Sequence, residues 1–264
     1  MTWSFSRLNY SCLHEWVRHY VDCDSQESNF YAEFGSFVHE CLEYHAKGIL
    51  HDDQILEYYD NQFNDYCKTY FDPEKREQYY IQGYEYISDI PKYLPLDKYN
   101  IIGVEKELHF NLVEDRPGYE HREYPFTGFI DLLLENKKTG GLIFTDHKSS
   151  SMKFRRDGEP YRNQEEHWKA FQRQQLLYTI PFVESGKTVE ALQWNMFRSK
   201  FIKRIPWTQE AYEEAYYWAL DQIHTLENEK IWSPNVDFFY CKNLCGYRNN
   251  CMFGSEDRDD DYEI

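Results

Sequence analysis

Two aspartates and a lysine carry the chemistry this sequence can most directly perform. Asp131 ends the run Gly128-Phe129-Ile130-Asp131, and Asp146 and Lys148 flank His147. The apolar runs Phe129 to Leu134 and Leu142 to Phe144 are separated by Lys137-Lys138-Thr139-Gly140-Gly141. A glycine-containing break between strand-length apolar runs predicts a β-hairpin. On an extended strand Asp146 and Lys148 point to one face and His147 to the other. The hairpin can also bring Asp131 beside Asp146. Two carboxylates about 4 Å apart repel by roughly 4 kcal/mol at an effective dielectric near 20. A divalent cation removes that repulsion. A lysine two residues on can then hold a water or a phosphate and stabilise charge in a transition state. The bland alternative is an ordinary hairpin with polar ends.

Other residues must be positioned by helices. His39 falls in a helix predicted over Phe30 to Ile49, in the pattern Gly35-x-x-x-His39-x-x-Leu42-Glu43. Taken alone, such a histidine is a packed core residue. Gln174 and Tyr178 lie four apart in a helix predicted over Arg162 to Val183, so they share a face. Cys241, Cys245 and Cys251 fall within eleven residues, and no secretory signal precedes them, which argues for metal over disulfide. With Cys12 as fourth ligand, zinc and a [4Fe–4S] cluster are equally sound chemistry. Cys23 competes for the fourth place. Cys41 and Cys67 lack partners at metal spacing and read as buried free thiols.

The hairpin, with Gly-x-Ile-Asp on one strand and Asp-x-Lys on the next, resembles the PD-(D/E)XK nuclease superfamily. Within it, the closest likeness is to the RecB, AddB and Cas4-like exonuclease branch. Ser6-Arg7-Leu8-x-Tyr10-x-Cys12, the His39 pattern, Gln174-x-x-x-Tyr178 and the C-terminal cysteines occur in that branch's order. The likeness runs from Ser6 to Cys251 and leaves residues 52–95 unmatched. It implies an α/β restriction-endonuclease-like fold, a core of mixed sheet flanked by helices. It also implies a helical insertion over 52–95 and an iron–sulfur subdomain made of residues 1–23 and 232–254, all in a single nuclease domain spanning 1–264.

The resemblance implies further that His39, Asp131, Asp146 and the backbone carbonyl of His147 hold Mg²⁺ or Mn²⁺. Lys148 orients the attacking water, while Gln174 and Tyr178 position substrate or Lys148. Glu105 or Glu107, on a strand predicted over Ile101 to Val113, joins the site if either does. Cys12, Cys241, Cys245 and Cys251 hold a [4Fe–4S] cluster as a structural staple. One departure is the Cys-x-x-x-Cys gap between Cys241 and Cys245, where the branch more often has two residues. The expected reaction is exonucleolytic hydrolysis of DNA, at single-stranded or free ends, in recombination, repair or processing. The alternatives are Cas4-like trimming for CRISPR spacer acquisition, with an integrase as partner, and a noncatalytic protein that binds DNA ends. No helicase motif is present, so unwinding needs a helicase or recombinase partner.

Composition sets limits on this reading. The 264 residues carry a formal net charge of −17, which is awkward for a DNA-binding protein. Part of the excess lies in Ser255 to Ile264, where six acids face one arginine; this acidic tail reads as a solvated end. The basic residues are then expected to line a groove, with Lys148, Lys153, Arg155, Arg156, Arg162, Lys169 and Arg173 as candidates. The 24 tyrosines and 18 phenylalanines read chiefly as core. No apolar run approaches the roughly 20 residues of a membrane span. With no secretory signal, a cytoplasmic location is the default. Elsewhere, Ser6 is expected to cap a helix running to Tyr20. A helical region spans Asp52 to Leu94, broken near Pro73. A second hairpin joins Val189–Phe197 to Phe201–Pro206, and Thr208 caps a helix running to about Asn228.

Overall fold

The computed structural model describes residues 1–253, so the acidic tail at 255–264 lies outside the described residues. Its elements in chain order begin with β1 (Trp3–Ser4), α1 (Phe5–Leu8), α2 (Leu13–Tyr20) and α3 (Phe30–Ala46). Next come α4 (Asp52–Tyr66), α5 (Pro73–Ile87) and α6 (Ile90–Tyr93). The long strands β2 (Tyr99–Glu114) and β3 (Arg122–Asn136) lead to β4 (Leu142–Lys148), α7 (Glu165–Tyr178) and α8 (Ile180–Glu184). The chain closes with β5 (Val189–Met196), β6 (Phe201–Pro206), α9 (Gln209–Asn228) and α10 (Phe238–Asn243).

The strands form one mixed six-stranded sheet. β3 is its spine. Antiparallel β2 runs along one edge of β3, and its other edge pairs first with parallel β1 and then with antiparallel β4. β4 and β5 are parallel, joined through α7 and α8, and β6 returns antiparallel. Helices cover both faces, so the architecture is the expected α/β one. One apolar layer joins α1, α2, α7 and α9 to the sheet through residues such as Phe126, Phe144 and Trp194. The other joins α3, α4, α5 and α6 to it through Leu132, Leu134 and Ile143.

The two layers do not meet the spine in simple alternation. Along β3, the even-numbered Tyr124, Phe126 and Ile130 face the first layer, whereas the even-numbered Leu132 and Leu134 face the second. β2 slips to the other face at the same rung, although its pairing with β3 stays in register there and shifts between Ile101 and Gly103: Leu108 and Leu112 pack with the first layer and Val104 with the second. Glu105 sits at this slip with φ +48°, a left-handed conformation that is strained for a non-glycine residue. Side chains near the slip are thereby directed to the boundary between the two layers.

Three local outcomes refine the sequence reading. The N-terminal helix is two pieces, capped by Ser4 rather than Ser6, with the break placing Cys12 at the N-cap of α2. The Arg162 to Val183 helix begins with a 3₁₀ turn and divides at Thr179, because Pro181 cannot continue its hydrogen-bond ladder. The tyrosine-rich region is helical, with its break at Asp72-Pro73, where Asp72 caps α5. Cys41 and Cys67 are buried free thiols within the second layer. Among the described residues, no helix is long and apolar enough to cross a membrane.

Candidate active site

The layer boundary opens into a cleft lined by His39 and Glu43 of α3, Glu105 of β2, Lys148 and Ser149 at the end of β4, and His167 and Phe171 of α7. At its floor, His39, Glu105 and Asp131 each offer one donor atom, all within 4.8 Å of one another. Among the described residues, this is the one such compact group of three or more His, Cys, Asp or Glu donors. Glu105 thus comes to the group, while Glu107 points away to pair with His109. On a regular strand the two glutamates would share a face; the positive φ at Glu105 separates them.

The orientation of His39 shows why the group suits a cation. Its Nε2–H donates to the His147 carbonyl at 2.8 Å, which leaves Nδ1 as a lone-pair acceptor 3.5 Å from Asp131 Oδ2. Burial holds the His39 imidazole below its usual range, against the pull of Asp146. A neutral imidazole therefore turns its lone pair toward a carboxylate oxygen, and two acceptors face each other. Burial also pushes Asp131 up to about 6, a rise opposed by the His147 N–H that donates to Asp131 Oδ2 at 2.7 Å. Glu105 is pushed up to about 7 by burial and by the Asp131 charge. Three acceptors thus converge at one half-buried site, where Lys47 and Lys148 offset their repulsion only in part. The mixed nitrogen and oxygen donors fit Mn²⁺ or Mg²⁺.

Asp146 is nearby but differently engaged. Its carboxylate, 8% exposed, has Oδ2 2.9 Å from Lys148 Nζ, and burial pushes it up to about 6. Lys148 Nζ also donates to Gln174 Oε1 at 2.9 Å and lies 4.6 Å from the Phe171 ring centroid. Tyr178 bonds to Gln174 and to the Phe129 backbone, and its ring covers Gly128. A Cβ at Gly128 would stand 2.3 Å from Tyr178 Cε1, so only glycine fits there. At the opposite wall, a Cβ on Gly35 would press on Ser149 Oγ at 3.2 Å. The His147 ring points to the α3–α6 face of the sheet, opposite to Asp146 and Lys148, with its centroid 5.5 Å from that of His39. There its Nδ1 meets Asn195 Nδ2 at 2.9 Å, and Asn195 Oδ1 accepts from Tyr86 at 2.8 Å. This fixes the peptide that presents the His147 carbonyl to His39. The Asn195 and Tyr86 support had no motif in the sequence to announce it.

The structure therefore brings together His39, Asp131, Asp146, the His147 carbonyl, Lys148, Gln174 and Tyr178, and adds Glu105. The candidate basic groove is only partly free. Lys169 and Arg173 both pair with Glu214, and Arg155 pairs with Asp157. Lys153, Arg156 and Arg162 are exposed and make no ion pair among the described residues.

A second site lies between the chain's two ends. Cys12, Cys241, Cys245 and Cys251 line one cavity, whereas Cys23 is exposed and outside it. The walls are held without any cofactor. Glu15 accepts from Tyr240 at 2.5 Å and from the Gly246 N–H at 3.3 Å, and Arg18 stacks on Tyr247 at 4.0 Å. Asn29 donates to the Leu244 carbonyl at 3.0 Å. Burial raises Cys241 and pushes Cys245 up to about 12.

With this geometry in place, comparison with known families is decisive at one level. The profile of the PD-(D/E)XK nuclease superfamily matches residues 2–252, nearly the whole chain, and the chain belongs to that superfamily. A search of curated proteins gave no match. Membership makes this a nuclease-family protein, and nucleases of the superfamily use divalent metals.

Because protons and a cation compete for the same carboxylates, metal binding is expected to depend on pH. Glu105 and Asp131 have folded-state values above their unfolded ones, so the metal-free fold loses stability as pH rises toward 7. Over the same range the ionised donors become available. Mn²⁺ should therefore raise the melting temperature more at pH 8 than at pH 5.5. Equal increments at the two pH values would contradict the assigned donors.

Proposed function

We propose that this protein is a metal-dependent DNA exonuclease of the RecB, AddB and Cas4-like branch, acting on single-stranded DNA ends. The observation that carries the reading is the convergence of His39, Glu105 and Asp131 beside the Asp146–Lys148 pair in one open cleft. His39, Asp131, Asp146 and the His147 carbonyl hold the ion, with Glu105 as a further donor. When bound, Mg²⁺ or Mn²⁺ polarises the scissile phosphate and makes a water nucleophilic near neutral pH. Lys148 orients that water and offsets the negative charge that develops on the phosphate. Asp146 and Gln174 hold the lysine ammonium in place, and Tyr178 fixes Gln174. Exposed Lys153, Arg156 and Arg162 supply phosphate contacts that an acidic protein otherwise lacks.

Cys12, Cys241, Cys245 and Cys251 hold a [4Fe–4S] cluster that supports the iron–sulfur subdomain of residues 1–23 and 232–254. Its role is structural, since the cavity lies apart from the cleft residues. The resemblance to the iron–sulfur branch favours the cluster over zinc, which the same four thiols could also hold.

The test is a nuclease assay on anaerobically purified protein, with iron and zinc measured on the same sample. Substrates are end-labelled single strands, linear duplex and closed circles, with Mg²⁺ or Mn²⁺. Loss of linear single strands, with circles spared and Asp146→Ala inactive, is the expected result. Cleavage of circles would make the protein an endonuclease. Failure to cut any substrate with metal bound would favour the noncatalytic reading.

A further inference from the structure

We infer that His167 contacts substrate, donating a hydrogen bond from its imidazole to a phosphate next to the one being cut; the inference rests on the nuclease reading above. His167, Phe171, Gln174 and Tyr178 stand at i, i+4, i+7 and i+11 on α7, which makes them one stripe on one face. Three of the four have their tasks at the lysine. Phe171 lies under the Lys148 ammonium, Gln174 accepts from it, and Tyr178 packs on Gly128 and holds Gln174. His167 continues the stripe outward and lines the same cleft as His39, Glu105 and Lys148.

Its side chain is exposed at the cleft and stands edge-on to Phe171, at 4.4 Å between ring centroids. Among the described residues it makes no hydrogen bond or ion pair, so its donor is free. Partial desolvation beside the cleft wall and the Lys148 charge lower its pKa, which leaves a neutral ring with one N–H. A packing role does not account for this position, because Phe171 already fills the wall behind it. Seven residues of helix separate His167 from Gln174, about 10 Å along the axis. That offset places the imidazole beyond Lys148, over the neighbouring phosphates of a strand whose scissile bond lies at the metal group.

The experiment measures steady-state cleavage of a single-stranded oligonucleotide with Mn²⁺, and its binding with Ca²⁺, for wild type, His167→Ala and His167→Gln. Losing one hydrogen bond to a charged phosphate weakens binding by about ten- to a hundredfold. KM should rise by that amount in His167→Ala with kcat changed less than threefold, and the glutamine amide should recover part of the loss. A series of oligonucleotides with one methylphosphonate linkage at successive positions identifies the contact. One position should weaken wild type and cause no further loss in His167→Ala, a signature that a structural role would not produce. The same penalty in both proteins at every position would overturn the inference, as would an unchanged KM. Binding in Ca²⁺ that depends on His167 without cleavage would sustain it while removing the catalytic reading. No binding by wild type would end both.

Discussion

Lys148→Ala is expected to lower the cleavage rate by about 10²–10³-fold, the usual cost of removing one preorganised group that stabilises a transition state. The ammonium has a single position, between Asp146 Oδ2 and Gln174 Oε1 at 2.9 Å each, with the Phe171 ring beneath it. Lys148→Arg should not restore the rate. A planar guanidinium cannot occupy a pocket shaped for a compact ammonium. Mn²⁺ binding should survive the alanine change, because the three-donor group does not include the lysine. Single-turnover rates at saturating Mn²⁺, beside calorimetric titration with Mn²⁺, separate the two effects. A retained rate would remove Lys148 from the chemistry. Loss of rate together with loss of metal binding would make it a residue that assembles the site.

The second large effect lies far from the cleft. Glu114, at the end of β2, is fully buried and accepts from the Arg116 side chain, from the Arg116 N–H, and from His224 of α9 at 2.8 Å. Arg116 also reaches Asp221 of α9 at 2.7 Å. Removing one partner of a buried ion pair leaves an uncompensated charge and costs about 3–5 kcal/mol. Glu114→Ala should fall at the lower end, because Arg116 keeps Asp221. The Arg116 hydrogen bonds hold the Glu114 carboxyl down, from its ordinary 4.5 to about 2. A depressed carboxylate stabilises the fold above its unfolded value, and that contribution disappears as pH falls from about 4.5 to 2. Urea midpoints for wild type and Glu114→Ala should therefore differ widely at pH 7 and draw together as pH falls to about 2. A constant gap would show that lost packing, not ionisation, accounts for the effect.

Much of this architecture was legible because its signals are local. The Gly140-Gly141 break, the Asp72-Pro73 break and the Thr208 cap act within a few residues of themselves, and each element they bound is present. Asp146 and Lys148 share a face because β4 is regular. The choice between Glu105 and Glu107 could not be read, since it turns on one positive φ where two long strands slip together. That slip comes from tertiary layering and leaves no mark on the apolar pattern. Likewise, the meeting of Cys12 with Cys241, Cys245 and Cys251 in one cavity that excludes Cys23 depends on a helix break at Asn9 to Ser11 and on where the distant segment at 235–251 docks. The Asn195–Tyr86 support behind His147 and the distant Glu114 network rest on single polar residues in apolar strands. Their partners lie 48 to 110 residues away in all but the Glu114–Arg116 bonds.

The slip at Glu105 and Asp131 has a mechanical consequence. His39 belongs to a helix of one layer, while Asp131 belongs to the spine of the sheet, 92 positions later in the chain. An ion held by both is a cross-link that closes a long loop, comparable in kind to a disulfide but reversible at the concentration of the metal. With an ion bound, the cleft would also act as a latch between the two layers. Removing such an ion would loosen the grip of the α3–α6 layer on the sheet at the mouth of the cleft.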